Sequence, residues 1–462
     1  MQYACPFMKI RTIFLVILLF VSICLGAQEQ QTIQHKVRWM ETLYSIARKY
    51  KVDPKDIAVL NNLRTGEISR GQILLIPFPD TKVTEQEELP LQDTLPVEVD
   101  PEIVNLRKSP CRDYISSSEW EPVVSVILPF PGTRMVSGFV DFYQGVLLAA
   151  EKMKDKGMSV LLQVYDWNEK PMDELLSGSS LGHSNLIIGP VYSNQIGSAL
   201  AYFRNSNTKI VSPLDNNAEV WTSLFPNFFQ VQPTLAVQQE SLIRYLDPHN
   251  ATLWVISEEG EETVAPGIRA TLDKNLIGYR NFSYDVLQGR EVTEVLRDLL
   301  GANPRNQIII ASLNEAFVSD AIRNLHLLLA YDNIPVELFG LSRWRSFETL
   351  DLTALHQLQV VLPLSAFVDY SDDVVKEFVH TYRTLFHGEP SQYAFQGYDV
   401  ALYFLDALFR YGPDFEDCME NVRVPLLQNE FNFIKTMPEG GYSNTGTRVV
   451  RYRPDFTVEL LP

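Results

Sequence analysis

The chain has few of the residues from which metal and catalytic sites are commonly built. Its 462 residues include four cysteines and seven histidines, and the histidines are scattered along the sequence. The sequence contains neither a glycine-rich phosphate loop nor a His-Glu-x-x-His zinc motif. We therefore expect a protein without cofactor, metal or enzymatic activity, although a pair of glycosidase carboxylates would leave little trace in a sequence.

Positive charge is scarce as well. Lysine and arginine total 39 against 57 acidic residues, which gives a formal net charge of −18. Such a chain is repelled by the phosphates of nucleic acids and by anionic lipid surfaces, so we expect neither as a partner. Within residues 35–79, however, eight bases outnumber four acids, and they form either a solvated helix face or a surface that favours an acidic polymer.

Long apolar runs are missing except near the N-terminus. Lys9 and Arg11 precede the run Ile13–Leu25, and Gly26-Ala27 follows it. This order is typical of a secretory signal over residues 1–27, and the run is short for a membrane span. We therefore expect export to the periplasm or cell envelope.

The cysteines bear on the same question. Lipidation of Cys24 would anchor the protein in a membrane, but the bulky Ile23 stands where a lipoprotein signal carries a small residue. Simple secretion is therefore favoured. The mature chain then retains Cys111 and Cys418, which are able to pair in an oxidising compartment. Whether they are close enough to form a disulfide is left open by the sequence.

Residues 33–79 form the first predicted domain. A strand is predicted at Thr32–Arg38, and Leu43–Tyr50 has the apolar spacing of a helix. Asp53-Pro54 starts a second helix, and a strand at Gln72–Pro77 completes the unit. The whole stretch, HKVRWMETLYSIARKYKVDPKDIAVLNNLRTGEISRGQILLIPFP, resembles a LysM module.

This resemblance implies a β-α-α-β fold that binds peptidoglycan, a glycan containing N-acetylglucosamine. LysM modules bind glycan through the loop that enters the first helix and the loop after the second. The residues of this chain at those places are Met40, Glu41, Thr42, Leu43, Leu63, Arg64 and Ile68. The alternative is that Leu43 and Ile68 are core residues and that Thr42 only caps the helix. Met40 departs from the glycine that is usual at its place.

The rest of the chain divides into a linker and a large domain. Residues 80–119 are acidic and contain Pro90, Pro96 and Pro101, which favours an extended spacer. From residue 120, short apolar strands alternate with amphipathic helices, as expected for parallel sheets covered on both faces. Because the segment is too long for one sheet, we predict an α/β domain with two lobes at 120–462.

Several phrases of this domain follow a known order: VILPF (126–130), DFYQGVLLAAE (141–151), NLIIGPVYSNQIGSALAYF (185–203), KIVSPLDNN (209–217), FFQVQPT (228–234) and YAFQGYDVALYFLDAL (393–408). In this order they resemble the type I periplasmic binding proteins, best the branched-chain amino-acid receptor group. The resemblance implies a small, amino-acid-like ligand or a protein partner recognised by the two lobes.

In such a fold the ligand lies beyond the carboxyl ends of parallel strands, where helix starts and hydroxyls bind it. The candidate cleft residues are Ser137, Tyr192, Ser193, Asn194, Asp215, Asn216, Glu258 and Arg343. Helix caps, turns and a surface arginine would explain the same residues without a ligand.

Tyr192 is a departure from the receptor group, which carries small residues at that loop. The tyrosine is bulky enough to fill the cleft. The family also includes wall-associated members without an established small ligand. The alternative function is therefore a scaffold that binds no ligand and regulates a cell-wall synthase or hydrolase.

Overall fold

The computed structural model describes residues 32–37, 43–50, 52, 54–61, 63, 72–77, 111, 120–130, 138–168, 172–178, 180–261, 263–289 and 291–462. They form two compact units that divide after residue 97, within the predicted linker. The predicted signal at 1–27 lies outside the described residues, as does the linker at 80–119 except for Cys111. The domain boundaries stay predictions.

The small unit has the predicted β-α-α-β order. It consists of β1 (Thr32–Lys36), α1 (Leu43–Tyr50), α2 (Pro54–Leu60) and β2 (Ile73–Pro77). The two strands are antiparallel, with Thr32 opposite Pro77 and Lys36 opposite Ile73. β1 ends two residues earlier than predicted, whereas α1 has the predicted bounds.

Apolar side chains from all four elements fill a small core in this unit. Its buried apolar residues are Val37, Ile46, Ala47, Ile57, Ala58, Leu63, Leu74 and Ile76. The side chain of Asn61 connects α2 to β2: Nδ2 donates to the Leu75 carbonyl oxygen at 2.6 Å, and Oδ1 accepts from the Leu75 N–H at 2.6 Å. Because so small a core contributes little stability, this pair of hydrogen bonds is important for the module.

The first lobe of the large unit is a seven-stranded, mainly parallel sheet in the order β13-β14-β7-β6-β5-β3-β4. Only β13 runs antiparallel to its neighbour. The bounds are β3 Val123–Leu128, β4 Leu161–Asp166, β5 Leu186–Ile188, β6 Lys209–Ser212, β7 Phe228–Gln230, β13 Phe433–Lys435 and β14 Tyr442–Asn444.

The second lobe repeats this plan in the order β16-β15-β12-β11-β10-β8-β9, with β15 and β16 antiparallel. Its bounds are β8 Thr252–Glu258, β9 Arg280–Tyr284, β10 Asn306–Ile310, β11 Val336–Phe339, β12 Val361–Leu364, β15 Arg448–Tyr452 and β16 Val458–Leu461. The sequence pattern did not show β9, an edge strand in which only Tyr284 is buried, nor the short β12.

Helices cover the sheets of both lobes. They are α3 Gly138–Asp155, α4 Met172–Gly178, α5 Ser193–Tyr202, α6 Glu219–Thr222, α7 Leu235–Leu242, α8 Ala265–Lys274, α9 Glu291–Gly301, α10 Glu315–Asp332, α11 Leu352–Gln357, α12 Asp373–Phe386 and α13 Gln392–Tyr411. α13 packs closely on α3, because a Cβ atom at Gly397 would lie 2.0 Å from the Phe142 carbonyl oxygen. Among the described residues, no helix is both long enough and apolar enough to cross a membrane.

The chain crosses between the lobes three times, and one network of hydrogen bonds joins the crossings. The Arg448 guanidinium donates to the carbonyl oxygens of Phe367, Leu426 and Leu427 at 2.7, 3.1 and 3.2 Å. Asn444 Nδ2 donates to the Val231 carbonyl oxygen at 3.0 Å. The segments after β7, β12 and β14 are therefore held to one another.

Asp399 of α13 anchors this network inside the protein. Its carboxylate is fully buried and accepts the backbone N–H groups of Leu427, Gln428 and Asn429 at 2.7 to 2.9 Å. Burial raises the pKa of Asp399 to about 6, although these three N–H groups and the charge of Arg448 act in the opposite direction.

A disulfide joins Cys111 to Cys418, with their Cα atoms 5.7 Å apart. It fixes a residue of the predicted linker to the 3₁₀ helix Gly412–Asn421, which follows α13. The sequence had left this pairing open.

The raised pKa of Asp399 predicts a specific pH dependence of stability. The folded protein binds the proton of Asp399 more tightly than the unfolded chain, in which the carboxyl titrates near pH 4. Protonation of Asp399 therefore stabilises the fold fully below pH 4, and this stabilisation is lost as the pH rises through about 6. We expect the free energy of unfolding to contain a fall of about 3 kcal/mol between these values.

Urea denaturation at half-unit pH steps measures this fall. Asp399→Asn should be less stable than the parent at every pH, because its amide N–H₂ group faces backbone N–H donors. Its free energy of unfolding should also change less between pH 4 and 6. Carboxyls whose pKa is lowered, such as Asp369, act in the opposite sense but at lower pH. The same slope in both proteins would contradict the assignment.

Candidate functional site

The candidate site is the edge formed by the carboxyl ends of the parallel strands. In the first lobe β3 lies between β4 and β5, and in the second lobe β8 lies between β9 and β10. After each of these central strands, the chain therefore forms the neighbouring strand on one side first and then the neighbouring strand on the other side. Sheets of this kind bind ligands at the carboxyl edge where that reversal occurs. The predicted cleft residues that the structure describes follow β5, β6 and β11 or, for Glu258, end β8, so the topology brings them to this edge in both lobes.

Ser193 and Asp215 come together across neighbouring strands. Ser193 is the first residue of α5, and its hydroxyl donates a hydrogen bond to Asp215 Oδ2. The other oxygen of Asp215 accepts the backbone N–H of Asn217 at 2.8 Å. A carboxylate is therefore fixed beside the N-terminus of a ten-residue helix, where the helix dipole stabilises negative charge.

Tyr192 precedes this helix and forms an aromatic pair with Trp167, the residue after β4. The ring centroids are 5.6 Å apart with an interplanar angle of 75°. Tyr192 remains 47% exposed, so among the described residues its ring is not packed as a plug. Trp167 was not among the predicted site residues, although an aromatic residue at the end of a largely apolar run was a usable signal.

In the second lobe Glu258 is held by a residue that the sequence analysis also missed. Asn314, which follows β10, donates from Nδ2 to the two carboxylate oxygens of Glu258 at 3.1 and 3.0 Å. Its Oδ1 caps α10 by accepting the N–H of Ala316 at 3.1 Å. Arg343 lies exposed in the 3₁₀ helix Ser342–Ser346, after β11.

Two fully buried polar side chains lie just inside the same edge of the first lobe. Ser212 and Gln230 end β6 and β7 and are direct partners in the sheet, so their side chains are on the same face. Gln230 Nε2 donates to the Gln232 and Asn216 carbonyl oxygens at 3.0 and 3.5 Å. Ser212 Oγ and Gln230 Oε1 have no hydrogen-bond partner among the described residues.

The remaining predicted site residues have mixed outcomes. Asn194 and Asn216 are exposed, at the start of α5 and in the loop after β6. In the small unit Leu63 is 7% exposed, so its side chain belongs to the core rather than to an open groove. The predicted residues outside the described part of the chain are Met40, Glu41, Thr42, Arg64, Ile68 and Ser137, and Leu43 is described only as the first residue of α1.

The structure also bears on catalysis. The string Gly178-Ser179-Ser180-Leu181-Gly182 fits the Gly-x-Ser-x-Gly pattern of a hydrolase nucleophile, which stands on a turn between strand and helix. Here Ser180 instead begins a 3₁₀ helix that follows α4, and its hydroxyl pairs with Tyr165 at 3.0 Å. In the described part of the chain, no three His, Cys, Asp or Glu residues are grouped to hold a metal ion.

Comparison with known proteins agrees with both parts of the fold. The LysM domain model matches residues 35–77, so the small unit is a LysM domain. A structure from Rhodospirillum rubrum, named as a branched-chain amino acid ABC transporter, matches with a TM-score of 0.55 and 16% identity over 74% of this chain and 100% of that one. No functionally curated protein matches the sequence.

A second solved structure supports the same fold. An ABC-type branched-chain amino acid transporter from Rhodopseudomonas palustris matches with a TM-score of 0.50 and 12% identity, over 74% of this chain and 95% of that chain. At such low identity the similarity defines the fold alone. The large unit has the two-lobed type I periplasmic-binding-protein fold, as predicted.

The contacts of Asn314 predict its effect on stability. Asn314→Ala removes a helix cap and a partner of Glu258, so the free energy of unfolding should fall by about 1 kcal/mol. Asn314→Asp keeps the cap but places a second negative charge beside Glu258, which raises the carboxyl pKa values in the folded protein. Its stability should therefore equal that of the parent below about pH 4 and decline as the pH rises. Urea denaturation at pH 4 and pH 7 checks both, and an Asp variant that gains stability toward pH 7 would contradict the pairing.

Proposed function

We propose that the protein is an exported binding protein of the cell envelope. Its LysM domain binds peptidoglycan, and its two-lobed domain recognises a small ligand at the carboxyl edges of its sheets. The observation that carries the proposal is the combination, in one chain, of a LysM domain at residues 35–77 with a unit of periplasmic-binding-protein fold.

The LysM domain supports the first half of this proposal. LysM is a glycan-binding module, and its fold is complete here, with both strands paired and a closed apolar core. Residues 35–79 contain eight bases and four acids, whereas residues 80–102 of the linker contain one base and eight acids. The excess of bases within the module is compatible with an acidic wall polymer.

The geometry of the large unit supports the second half. Polar groups held in fixed orientations, Ser193 with Asp215 and Glu258 with Asn314, lie at the carboxyl edges of both lobes. The three crossings provide connections about which two lobes of this kind close on a ligand. The solved relatives are named for branched-chain amino acids, which makes amino acids one ligand class to test. The cell-wall scaffold without a ligand is the alternative.

Retention by peptidoglycan tests the LysM half. Asn61→Ala removes both hydrogen bonds to Leu75, whose backbone groups are partly buried, at a cost of about 1 kcal/mol each. We expect this variant to lose sedimentation with purified peptidoglycan. Val59→Ala changes an exposed residue of α2, the helix that ends just before Asn61, and should be retained like the parent. Equal retention of both variants, or retention after deletion of residues 28–79, would show that the tether lies elsewhere.

A thermal-shift screen tests the ligand half. A ligand present at 100 times its dissociation constant should stabilise the large unit by about 2.7 kcal/mol. The screen should include amino acids, saccharides and muropeptides, with Asp215→Asn and Glu258→Gln as variants in which the shift shrinks. A protein that is retained by peptidoglycan but responds to no compound would favour the scaffold.

A further inference from the structure

We infer that the ligand of the two-lobed domain is a small neutral saccharide rather than an amino acid. This inference rests on the proposed function, since it concerns the ligand class of the same site. Three features of the first lobe carry it: an exposed aromatic ring, a set of unpaired polar atoms, and a carboxylate already placed at the start of α5.

The aromatic pair supplies a flat apolar wall. Tyr192 presents a ring that is 47% exposed, and Trp167 fixes its orientation through an edge-to-face contact at 5.6 Å. A pyranose has a flat face of C–H groups and a rim of hydroxyls, so it stacks on such a ring while its rim remains free to form hydrogen bonds. The aliphatic side chain of a branched amino acid needs an enclosed apolar pocket and gains little from one half-exposed ring.

The unpaired polar atoms suit hydroxyl groups. Gln230 Oε1 is a buried acceptor, and Ser212 Oγ can both donate and accept. Neither atom has a partner among the described residues. Ser212 and Gln230 are fully buried below the loop that carries Asp215, because Gln230 Nε2 reaches the Asn216 carbonyl oxygen. Leaving a buried polar atom unpaired is unfavourable, and hydroxyls both donate and accept.

The fixed charges disfavour the carboxylate of an amino acid. The N-terminus of α5 has no side-chain cap from Tyr192 and would otherwise attract an anion. Asp215 already places a negative charge there through its hydrogen bond with Ser193. Glu258 adds a second carboxylate at the corresponding edge of the other lobe, where its partner Asn314 is neutral. Both carboxylates have acceptor capacity left. A neutral saccharide uses it with hydroxyl groups alone, whereas the ammonium group of an amino acid would bring with it a carboxylate that these charges repel.

Calorimetric titration of the full chain tests this inference. The probes are glucose, N-acetylglucosamine and its disaccharide, against leucine, glutamate and putrescine. We expect a saccharide to bind, and Tyr192→Ala to weaken it about tenfold through loss of the aromatic wall. Asp215→Asn should weaken the same saccharide without lowering the melting temperature by more than a few degrees.

Two matched variants separate this site from other effects. Tyr202→Ala removes a tyrosine at the far end of the same helix, which is 52% exposed and also pairs edge-to-face with an aromatic neighbour, Phe203. It should bind the saccharide like the parent. Asn61→Ala disables the LysM domain and should leave this binding unchanged, because the site belongs to the large unit.

The outcomes distinguish the inference from the proposed function. Tyr192-dependent binding of leucine or glutamate, with no saccharide bound, would overturn the saccharide class and leave a ligand-binding protein. Saccharide binding that is lost in Asn61→Ala but kept in Tyr192→Ala would assign it to LysM and also overturn the inference. Binding of no probe overturns it as well, whereas loss of peptidoglycan retention alone affects only the tether.

Discussion

Parallel pairing of the strands is the constraint on which the large unit depends. A parallel pair cannot be joined by a tight turn, so each strand is reached by a connection that crosses a face of the sheet. Helices therefore cover both faces, and the strands become continuous apolar runs such as Leu186–Ile188, which is buried throughout. The same constraint collects the carboxyl ends of the strands at one edge. Residues far apart in sequence, such as Trp167, Ser193 and Asp215, meet there for this reason.

The second constraint is the way in which the lobes are connected. Three crossings carry the chain between the sheets, and Arg448, Asn444 and Asp399 hold their backbone groups in one network. The network uses side chains to satisfy carbonyl and N–H groups that no sheet pairs, as buried backbone requires. A change in the relative position of the lobes has to be accommodated in these segments, so the network is placed to influence the site without contacting a ligand.

The proposed function combines two kinds of binding with different physical bases. The LysM domain is small and has a modest core. Weak binding is sufficient for it, because a glycan polymer offers many equivalent binding sites. The large unit has two extensive cores and can hold polar groups in fixed orientations, as small-molecule recognition requires. If its ligand is a saccharide, both units act on the same class of compound, one on the polymer and the other on a soluble fragment.

The sequence by itself determined the class of each unit, because its signals are local. Apolar spacing and helix-start residues defined α1 and α2, and short apolar runs alternating with amphipathic helices indicated the parallel sheets of the large unit. It did not show β9, most of whose residues are exposed at the sheet edge, nor the short strands β7, β12, β13 and β14. Tertiary structure alone decided the site: that Ser193 donates to Asp215, that Asn314 holds Glu258, that Trp167 orients Tyr192, and that Cys111 pairs with Cys418. These contacts depend on strand order, and strand order is fixed by the packing of whole elements, which leaves no mark in any short stretch of sequence.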